Sequence, residues 1–186
     1  MSSLHAAVQS GQFEDIETLL LSGAALASRD LCYGESAFHF AAKRGDVSII
    51  QLLLNHGFDK DTKDSYYSGN SPLHLSCRHS CVEAVDFFFF KNADVCAQNN
   101  FGETPFHLAC EAGNLDVIRL FINLGTVGKG ADLNARNEDG LTPLMYACMD
   151  SHVQSGALRV ILDNLLNKEN MASVDPLELL HYAGRY

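Results

Sequence analysis

The sequence predicts an all-α solenoid, in which units of turn, helix, turn and helix repeat along the chain. Near-copies of the segment Gly102–Ala109 recur, at steps of 34, 35, 33 and 38 residues. Each complete copy is followed by a short Ala- or Cys-rich stretch, a break, and a second apolar stretch of helical length. In addition, all four prolines of the chain fit one register of this repeat. Proline is common at the first position of a helix, so the register marks helix starts.

Each copy begins a helix, for reasons that its residue types explain. Gly102 can close a tight turn, and the Thr104 hydroxyl can accept a hydrogen bond from a free backbone N–H at a helix start. Pro105 then occupies the first helical position, where it has no N–H to lose. The copies are Ser2–His5, Ser36–His39, Ser71–His74, Thr104–His107 and Thr142–Met145.

A second helix completes each unit. Val47–Leu54 is typical of it, because it is a mostly apolar run that follows the first helix after a glycine. The glycines that separate the two helices are Gly11, Gly45 and Gly113. Glycine readily adopts the left-handed conformation of a helix C-cap, so glycines are also expected to end the second helices. These are Gly23, Gly57 and Gly125.

The unit resembles the ankyrin repeat, a turn followed by two helices with the signature Thr-Pro-Leu-His. The resemblance covers essentially the whole chain, because phased His, Gly and Leu-Leu positions recur together in several units. It implies one ankyrin-repeat domain over residues 1–186, in which neighbouring units stabilise each other. We expect five units, at about 1–29, 30–63, 64–98, 99–136 and 137–170.

Both ends of the chain are expected to cap the stack. Asp175-Pro176 repeats the helix-start pattern 33 residues after Pro143. Residues 175–183 are therefore predicted to form the first helix of a truncated sixth unit, which covers the C-terminal end. Ser2 begins directly on a first helix with no preceding turn. We therefore expect the 186 residues to be a complete protein.

Composition and charge restrict the expected partner and location. The chain is 47% apolar and carries 13 Lys and Arg against 23 Asp and Glu, a formal charge of −10. This charge disfavours nucleic acid, and a basic or neutral protein surface is the expected partner. The N-terminus has no export-signal pattern, and no apolar run is long enough to span a membrane. We expect a monomer in the cytoplasm or the nucleus, with no membrane contact and six reduced cysteines.

Four histidines occupy the fourth position of successive copies. Neighbouring units stack about 10 Å apart, which is too far for these side chains to share a metal ion. As in the ankyrin family, each histidine is expected to hydrogen-bond one turn to its neighbour. Met145 replaces the histidine in the fifth unit, so that link should be weaker. The four histidines are His5, His39, His74 and His107.

The cluster His74, Cys77, His79 and Cys81 holds four side chains of the kind that bind zinc, so a metal site is one explanation for it. Packing explains Cys77 more simply, because small residues fill the same slot in other units. These are Ala42, Cys110 and Cys148. The chain also has no nucleophile elbow and no phosphate-binding glycine loop. We expect no metal, no cofactor and no enzymatic activity, and a metal-dependent or enzymatic role remains an alternative.

The run Phe87–Phe90 lies in the second helix of unit three. Phe88 and Phe89 align with Leu53 and Leu54 of unit two and are predicted to be core. Phe87 and Phe90 cannot both face the same way as these residues on a helix, so at least one is expected on the outer face. Packing under neighbouring side chains is the simpler explanation of these two rings. An exposed Phe patch would instead indicate an alternative function, self-association of a structural protein.

The turn that precedes the first helix of each unit projects from the stack, and its end is called the tip. The tips differ more between units than any other part of the repeat. Tyr33 is an extra residue in unit two, and the tip of unit three, Asp64–Ser68, is two residues longer than a 33-residue step requires. In the ankyrin family, the tips and the exposed residues that end each first helix form the usual binding surface. Carried onto this sequence, the resemblance implies Tyr33, Tyr66, Tyr67 and Phe101 at the tips, Lys43, Arg44, Arg78 and His79 on the helices, and Glu103, Glu111, Glu138 and Asp150 in units four and five.

The resemblance therefore implies a non-enzymatic protein–protein interaction module that serves as an adaptor, a scaffold or an inhibitor. Aromatic side chains beside arginine are favoured at interface hot spots. The change from basic to acidic along this face would orient an elongated partner. The extra residues Thr126–Lys129 of unit four lie away from the tips and are expected to form a tolerated loop.

Overall fold

The computed structural model describes residues 2–66, 68–126 and 131–149, together with residues 156 and 160; of residues 124–126 and 149 it describes the backbone only. Every regular element in these ranges is an α-helix, so the expected all-α repeat fold is confirmed. The predicted helix at 175–183 lies outside the described residues. The helices are α1 (Ser3–Ser10), α2 (Phe13–Leu21), α3 (Ala37–Arg44), α4 (Val47–Asn55), α5 (Pro72–Arg78), α6 (Val82–Phe90), α7 (Pro105–Ala112), α8 (Leu115–Thr126) and α9 (Pro143–Met149).

The helices form two layers. The first helices α1, α3, α5, α7 and α9 contact one another in that order, and the second helices α4, α6 and α8 do the same. In units one to four, the first helix also packs on the second helix of its own unit. The units therefore share one core through nearest-neighbour contacts, as a solenoid requires. Among the described helices, none is long and apolar enough to cross a membrane.

Aromatic side chains join the units inside this core. Phe38 of α3 and Phe88 of α6 are fully buried, and their ring centroids lie 6.0 Å apart in an edge-on arrangement. Phe106 of α7 and Phe121 of α8 are also fully buried, at 5.2 Å. Such ring pairs add packing energy to the burial of their area. The core is thus one contiguous cluster from unit one to unit five.

The predicted helix starts are confirmed. At α3, the Ser36 N–H donates to His39 Nδ1 at 3.2 Å, and the Ser36 hydroxyl lies 2.8 Å from the same nitrogen. The same pair of contacts recurs at the starts of α1, α5 and α7. Pro72 and Pro105 are the first residues of their helices, where the missing N–H costs no hydrogen bond.

Unit three ends its helices without glycine. Gly45 follows α3 with φ of 72°, whereas Ser80 holds this left-handed position after α5 with φ of 58°. Gly57 follows the end of α4 with φ of 91°, and Asn92 takes the corresponding place after α6 with φ of 54°. Asparagine tolerates the left-handed region better than most residues. The glycine signal therefore identifies the slot in units one and two but misses it in unit three.

The predicted stop of α8 at Gly125 is wrong. Helix α8 continues through Gly125 to Thr126 and has 12 residues, compared with nine in each of α2, α4 and α6. Unit four carries four extra residues directly after this glycine. The chain therefore does not need to turn at Gly125 to reach the next tip.

Candidate protein-interaction face

In units two to five, an Asp or Asn side chain at the base of the tip folds the turn, a feature that was not predicted from the sequence. Asp30 accepts hydrogen bonds from the backbone N–H of Cys32, Tyr33 and Glu35, at 3.1, 3.2 and 2.7 Å. Burial alone would raise the pKa of Asp30, but these N–H groups outweigh it and lower the pKa. The corresponding residues of the next tips are Asp64, Asn99 and Asn137. Because Asp and Asn favour such turns, their position five to seven residues before the next copy of the helix-start segment could have predicted this role.

Backbone hydrogen bonds join neighbouring tips into a continuous ribbon. The N–H groups of Ser65 and Tyr66 donate to the carbonyls of Gly34 and Tyr33. Asn100 N–H donates to Ser68 at 2.8 Å, and Glu138 N–H donates to Phe101 at 3.0 Å. A tip that is bonded on both sides is held in place by its neighbours. The tips of units two to five therefore present their side chains from a connected backbone.

The aromatic residues predicted at the tips are exposed. Tyr33 is 59% exposed, Tyr66 is 58% exposed and Phe101 is 38% exposed. Single exposed apolar side chains are ordinary on a protein surface, but aromatic residues that recur on neighbouring, hydrogen-bonded tips are typical of an interaction site. Tyr67 lies outside the described residues.

Lys43 lies between aromatic rings and a buried carboxylate. Its ammonium group is 5.5 Å from the centre of the Tyr33 ring and 5.6 Å from that of Phe40. It also contacts both carboxylate oxygens of Glu35, at 2.6 and 2.8 Å. Burial raises the pKa of Glu35, against the hydrogen bond and charge of Lys43, which lower it. Lys43 is thus fixed at the base of the Tyr33 tip.

The two predicted arginines of the face have different partners. Arg44 donates to the backbone carbonyl of Gln9 at 2.7 Å and connects the ends of α3 and α1. Arg78 donates to Glu111 at 2.9 Å and connects the ends of α5 and α7. Both members of the Arg78–Glu111 pair are exposed, so the pair adds little to stability.

One pocket collects four of the predicted site residues, from two tips and two helix ends. Its volume is about 140 Å³, and its walls include Tyr33, Lys43, Arg78 and His79. Burial lowers the pKa of His79, and the charges of Lys43 and Arg78 lower it further. The other residues at the pocket are Glu35, Asp64, Ser68, Asn70 and Leu75. Of these, the repeat pattern of the sequence points only to the tip segment Asp64–Ser68, and it does not predict a pocket.

Glu103 does not belong to the exposed face. It is only 8% exposed, because its carboxylate is turned inward. The Tyr146 hydroxyl donates to one oxygen at 2.5 Å, and Asn99 Nδ2 donates to the other at 2.7 Å. Its predicted role in partner binding is therefore a misassignment. Of the other acidic residues predicted for the face, Glu111 and Glu138 are exposed, and Asp150 lies outside the described residues.

The Phe run in α6 alternates between core and surface. Phe88 is fully buried, and Phe89 packs edge-on against Phe121 with ring centroids 4.9 Å apart. Phe90 is 77% exposed, and Phe87 is half-buried. Lys91 lies over both of these outer rings, at 5.1 Å from Phe87 and 5.5 Å from Phe90. The expectation that at least one outer Phe is exposed is confirmed for Phe90.

The repeat histidines link units and are not free to bind a metal ion. His74 Nδ1 is held at Ser71, and its Nε2 lies 3.0 Å from the Glu103 carbonyl of the next unit. Corresponding links join His5 to Glu35, His39 to Asn70 and His107 to Leu141. In unit five, the Thr142 N–H donates to Met145 Sδ at 3.4 Å, which corresponds to the contact of 3.2 Å between Ser71 N–H and His74 Nδ1 within unit three. The predicted histidine links are therefore confirmed.

The cysteines near His74 do not complete a metal site. Cys77 is fully buried, and burial raises the pKa of its thiol well above the usual value. Cys81 lies partly buried against the backbone carbonyls of Lys43 and His79. Within the described ranges, no group of three or more His, Cys, Asp or Glu side chains has the arrangement of a metal site.

Comparison with known proteins gives a family match over most of the chain. A family model described as ankyrin repeats (3 copies) matches residues 4–99 and 82–172. The chain is 28% identical to ankyrin repeat and SOCS box protein 5 of Oryctolagus cuniculus, over 81% of this chain and 42% of that protein. It is 34% identical to the nuclear factor NF-kappa-B p105 subunit of Gallus gallus, over 77% of this chain and 14% of that protein. It is 29% identical to the probable 26S proteasome regulatory subunit p28 of Saccharomyces cerevisiae, over 68% and 54% of the two chains.

Proposed function

We propose that this chain, which belongs to the ankyrin-repeat family, is a non-enzymatic protein-interaction module. Its partner binds at the tips and first helices of units two and three. Ankyrin solenoids use their extended concave surfaces for binding, and their chemistry comes from the residues on that surface. The observation that carries the proposal is the pocket between Tyr33, Lys43, Arg78 and His79, together with the exposed ring of Tyr66 on the neighbouring tip.

The rigidity of this face supports the proposal. The tips are bonded to one another through the backbone, and Lys43 is fixed by Glu35 and two aromatic rings. A partner would therefore meet side chains that lose little freedom on binding, which favours affinity. Tyrosine and arginine are also the residues that interface hot spots favour.

Charge along the face supports an oriented partner. Lys43, Arg44 and Arg78 end the first helices of units two and three, whereas Glu111 ends α7 and Glu138 lies at the tip of unit five. Complementary charge on a partner fixes its direction more than its affinity. The basic end of the face would receive the acidic end of an elongated partner.

The relatives are compatible with an adaptor, a scaffold or an inhibitor. By their names, one is a probable regulatory subunit of the 26S proteasome and another is a subunit of a nuclear factor. This chain spans about half of the first and a seventh of the second. A repeat stack of this kind would serve in such assemblies by presenting a surface.

Partner capture with paired variants tests the proposal. The double variant Tyr33→Ala/Tyr66→Ala removes two exposed rings. We expect the amount of partner protein that it captures to fall at least tenfold, because central aromatic anchors dominate interface energy. Its unfolding transition should stay within about 0.5 kcal/mol of the wild type, as is usual for surface substitutions. Phe13→Ala on α2 is the control, because Phe13 is also exposed but lies away from the tips. Equal capture by the double variant and the wild type would reject this face.

Self-association through α6 is the second candidate. Its specific support is Phe90, which is 77% exposed and forms one patch with Phe87 and Lys91. Light scattering over a hundredfold range of concentration tests it. A mass that rises with concentration in the wild type and stays monomeric in Phe90→Ser would support self-association. A constant monomer mass would remove this candidate.

A further inference from the structure

If the proposed function holds, the chemistry of the pocket in the proposed face indicates which group of a partner the pocket would bind. The pocket has about 140 Å³, well below the roughly 300 to 1,000 Å³ of sites for drug-sized ligands. It is open between the tips and the ends of α3 and α5. Its size suits one side chain of a partner.

Several hydrogen-bond donors at the pocket are not used within the described residues. Arg78 uses one guanidinium nitrogen for Glu111, so Nε and the other terminal nitrogen have no acceptor among the described residues. The ring of His79, the Tyr33 hydroxyl and Asn70 Nδ2 likewise make no hydrogen bond to any residue that the structure describes. The guanidinium of Arg78 and Asn70 Nδ2 can only donate, whereas the His79 ring and the Tyr33 hydroxyl can donate or accept. Only a guest that brings an acceptor can therefore bond to all four groups.

The two carboxylates at the pocket are already satisfied. Both oxygens of Glu35 contact Lys43. The two oxygens of Asp64 accept the backbone N–H groups of Gly69 and Asn70, at 2.8 and 3.1 Å. They are therefore poorly placed to receive a cation from a partner. The charged groups with donors to spare are Lys43 and Arg78.

We propose that this pocket receives the carboxylate of an Asp or Glu side chain from the partner protein. The carboxylate would accept hydrogen bonds from Arg78, with His79, Asn70 and the Tyr33 hydroxyl as further donors. Charge-assisted hydrogen bonds from arginine to a carboxylate are stronger than neutral ones and fix direction. Burial is the main cause that lowers the pKa of His79, and the positive charges of Lys43 and Arg78 lower it further. The acidic residue would thus anchor an elongated partner at the basic end of the face.

A carboxylate is favoured over a phosphate by the charge of the site. A phosphoryl group carries about −1.5 to −2 charge at neutral pH. Glu35 and Asp64 stay close to the guest, and a dianion would be repelled more strongly by them than a monoanion. The net charge of the whole chain, −10, acts in the same direction.

Selection of random twelve-residue peptides displayed on phage tests the proposal with the wild-type chain as the target. We expect the selected peptides to share an Asp or Glu whose change to Asn or Gln weakens binding at least tenfold. Arg78→Gln should weaken the acidic peptide about as much, and the two changes together should cost little more than either alone, as for two groups in one contact. Arg119→Gln is the control, since Arg119 is an exposed arginine paired with Asp116 on α8.

Glu111→Gln gives a result of opposite sign. It frees the guanidinium of Arg78 from its carboxylate partner, so the acidic peptide should bind about threefold more tightly. Another outcome is that selected peptides lose binding to the Tyr33→Ala/Tyr66→Ala variant and yet bind equally well after their own Asp or Glu is changed to Asn or Gln. That result would overturn the carboxylate proposal and leave the proposed function standing. The same holds if phosphoserine in place of the acid binds more tightly. If no peptide depends on the two tyrosines, both proposals fail.

Discussion

At the scale of single residues, buried histidines make the stability of this protein depend on pH. His39 and His74 are fully buried, and burial lowers the pKa of each from about 6.5 to about 4. The folded protein therefore binds fewer protons than the unfolded chain between these two values. The stability from each neutral histidine is present above about pH 6.5 and is lost as the pH falls to about 4.

This linkage predicts an acid-sensitive unfolding transition. One histidine with such a shift should cost about 3 kcal/mol of unfolding free energy between pH 6.5 and pH 4. His74→Gln removes one of these buried histidines. The unfolding free energy of this variant should therefore depend less steeply on pH than that of the wild type, by the equivalent of up to one bound proton. Urea unfolding at several pH values gives both slopes, and the difference isolates His74 from the acidic side chains. Equal slopes in the two proteins would contradict a neutral, buried His74.

Single residues also mark the limit of what the sequence could predict. The histidine links follow from a repeated position, and their partners are carbonyls that every unit provides. Glu103 was misassigned because its partner, Tyr146, comes from the next unit and is not a repeated feature of the sequence. The pocket was missed for a similar reason, since its walls come from two tips and two helix ends. Pairwise contacts between unlike residues of different units leave no periodic signal.

At the scale of elements, the four consecutive phenylalanines of α6 include one that is fully buried and one that is exposed. Phe88 is fully buried between Phe38 and its neighbours, whereas Phe90 is 77% exposed. Phe88→Ala should therefore lower the free energy of unfolding by about 3 to 5 kcal/mol. Phe90→Ala should change it by less than about 0.5 kcal/mol. Urea unfolding measures both, and similar losses for the two variants would refute the orientation of α6.

The turns between helices make a second test at this scale, because two glycines share a conformation but differ in surroundings. Gly45 and Gly23 have φ of 72° and 82°. A Cβ at Gly45 would lie 2.8 Å from Cβ of Cys81 in the next unit, whereas a Cβ at Gly23 would meet nothing within 4 Å. Gly23→Ala should cost about 1 to 2 kcal/mol for the left-handed backbone alone.

Gly45→Ala should cost more than Gly23→Ala by about 1 to 3 kcal/mol, the usual range for overpacking. Thermal unfolding of the two variants gives the difference directly. The same cost for both would mean that the approach of Cys81 to this turn has no energetic weight. Cys81→Ala in the Gly45→Ala background should recover part of the extra cost, because it removes the atom Sγ that lies 2.9 Å from the added Cβ.

At the scale of the whole molecule, the period of the sequence was enough to predict the order and the type of the described helices. Repetition reports on what every unit has in common, which here is the pair of helices and its caps. It does not report on the places where one unit departs, such as the left-handed Ser80 and Asn92 or the longer α8. The proposed binding face consists of such departures.

A stack held by nearest-neighbour contacts should also unfold unevenly. Unit one packs against one neighbour only in the described structure, through α1 and α3, whereas α7 of unit four packs between α5 and α9. Val8 of α1 and Phe106 of α7 are both fully buried. In a one-dimensional stack, weakening an end unit opens that unit, and weakening an inner unit destabilises its neighbours as well.

Amide hydrogen exchange of two variants tests this uneven coupling. Val8→Ala should lower protection in α1 and α2 and leave protection in α7 and α8 close to that of the wild type. Phe106→Ala should lower protection in α5 to α8 together, because its ring packs against Phe121 and its helix contacts both neighbours. Uniform loss of protection in both variants would mean that the chain unfolds as one cooperative unit. In that case an end unit could not open alone, and a partner bound at units two and three would stabilise all units equally.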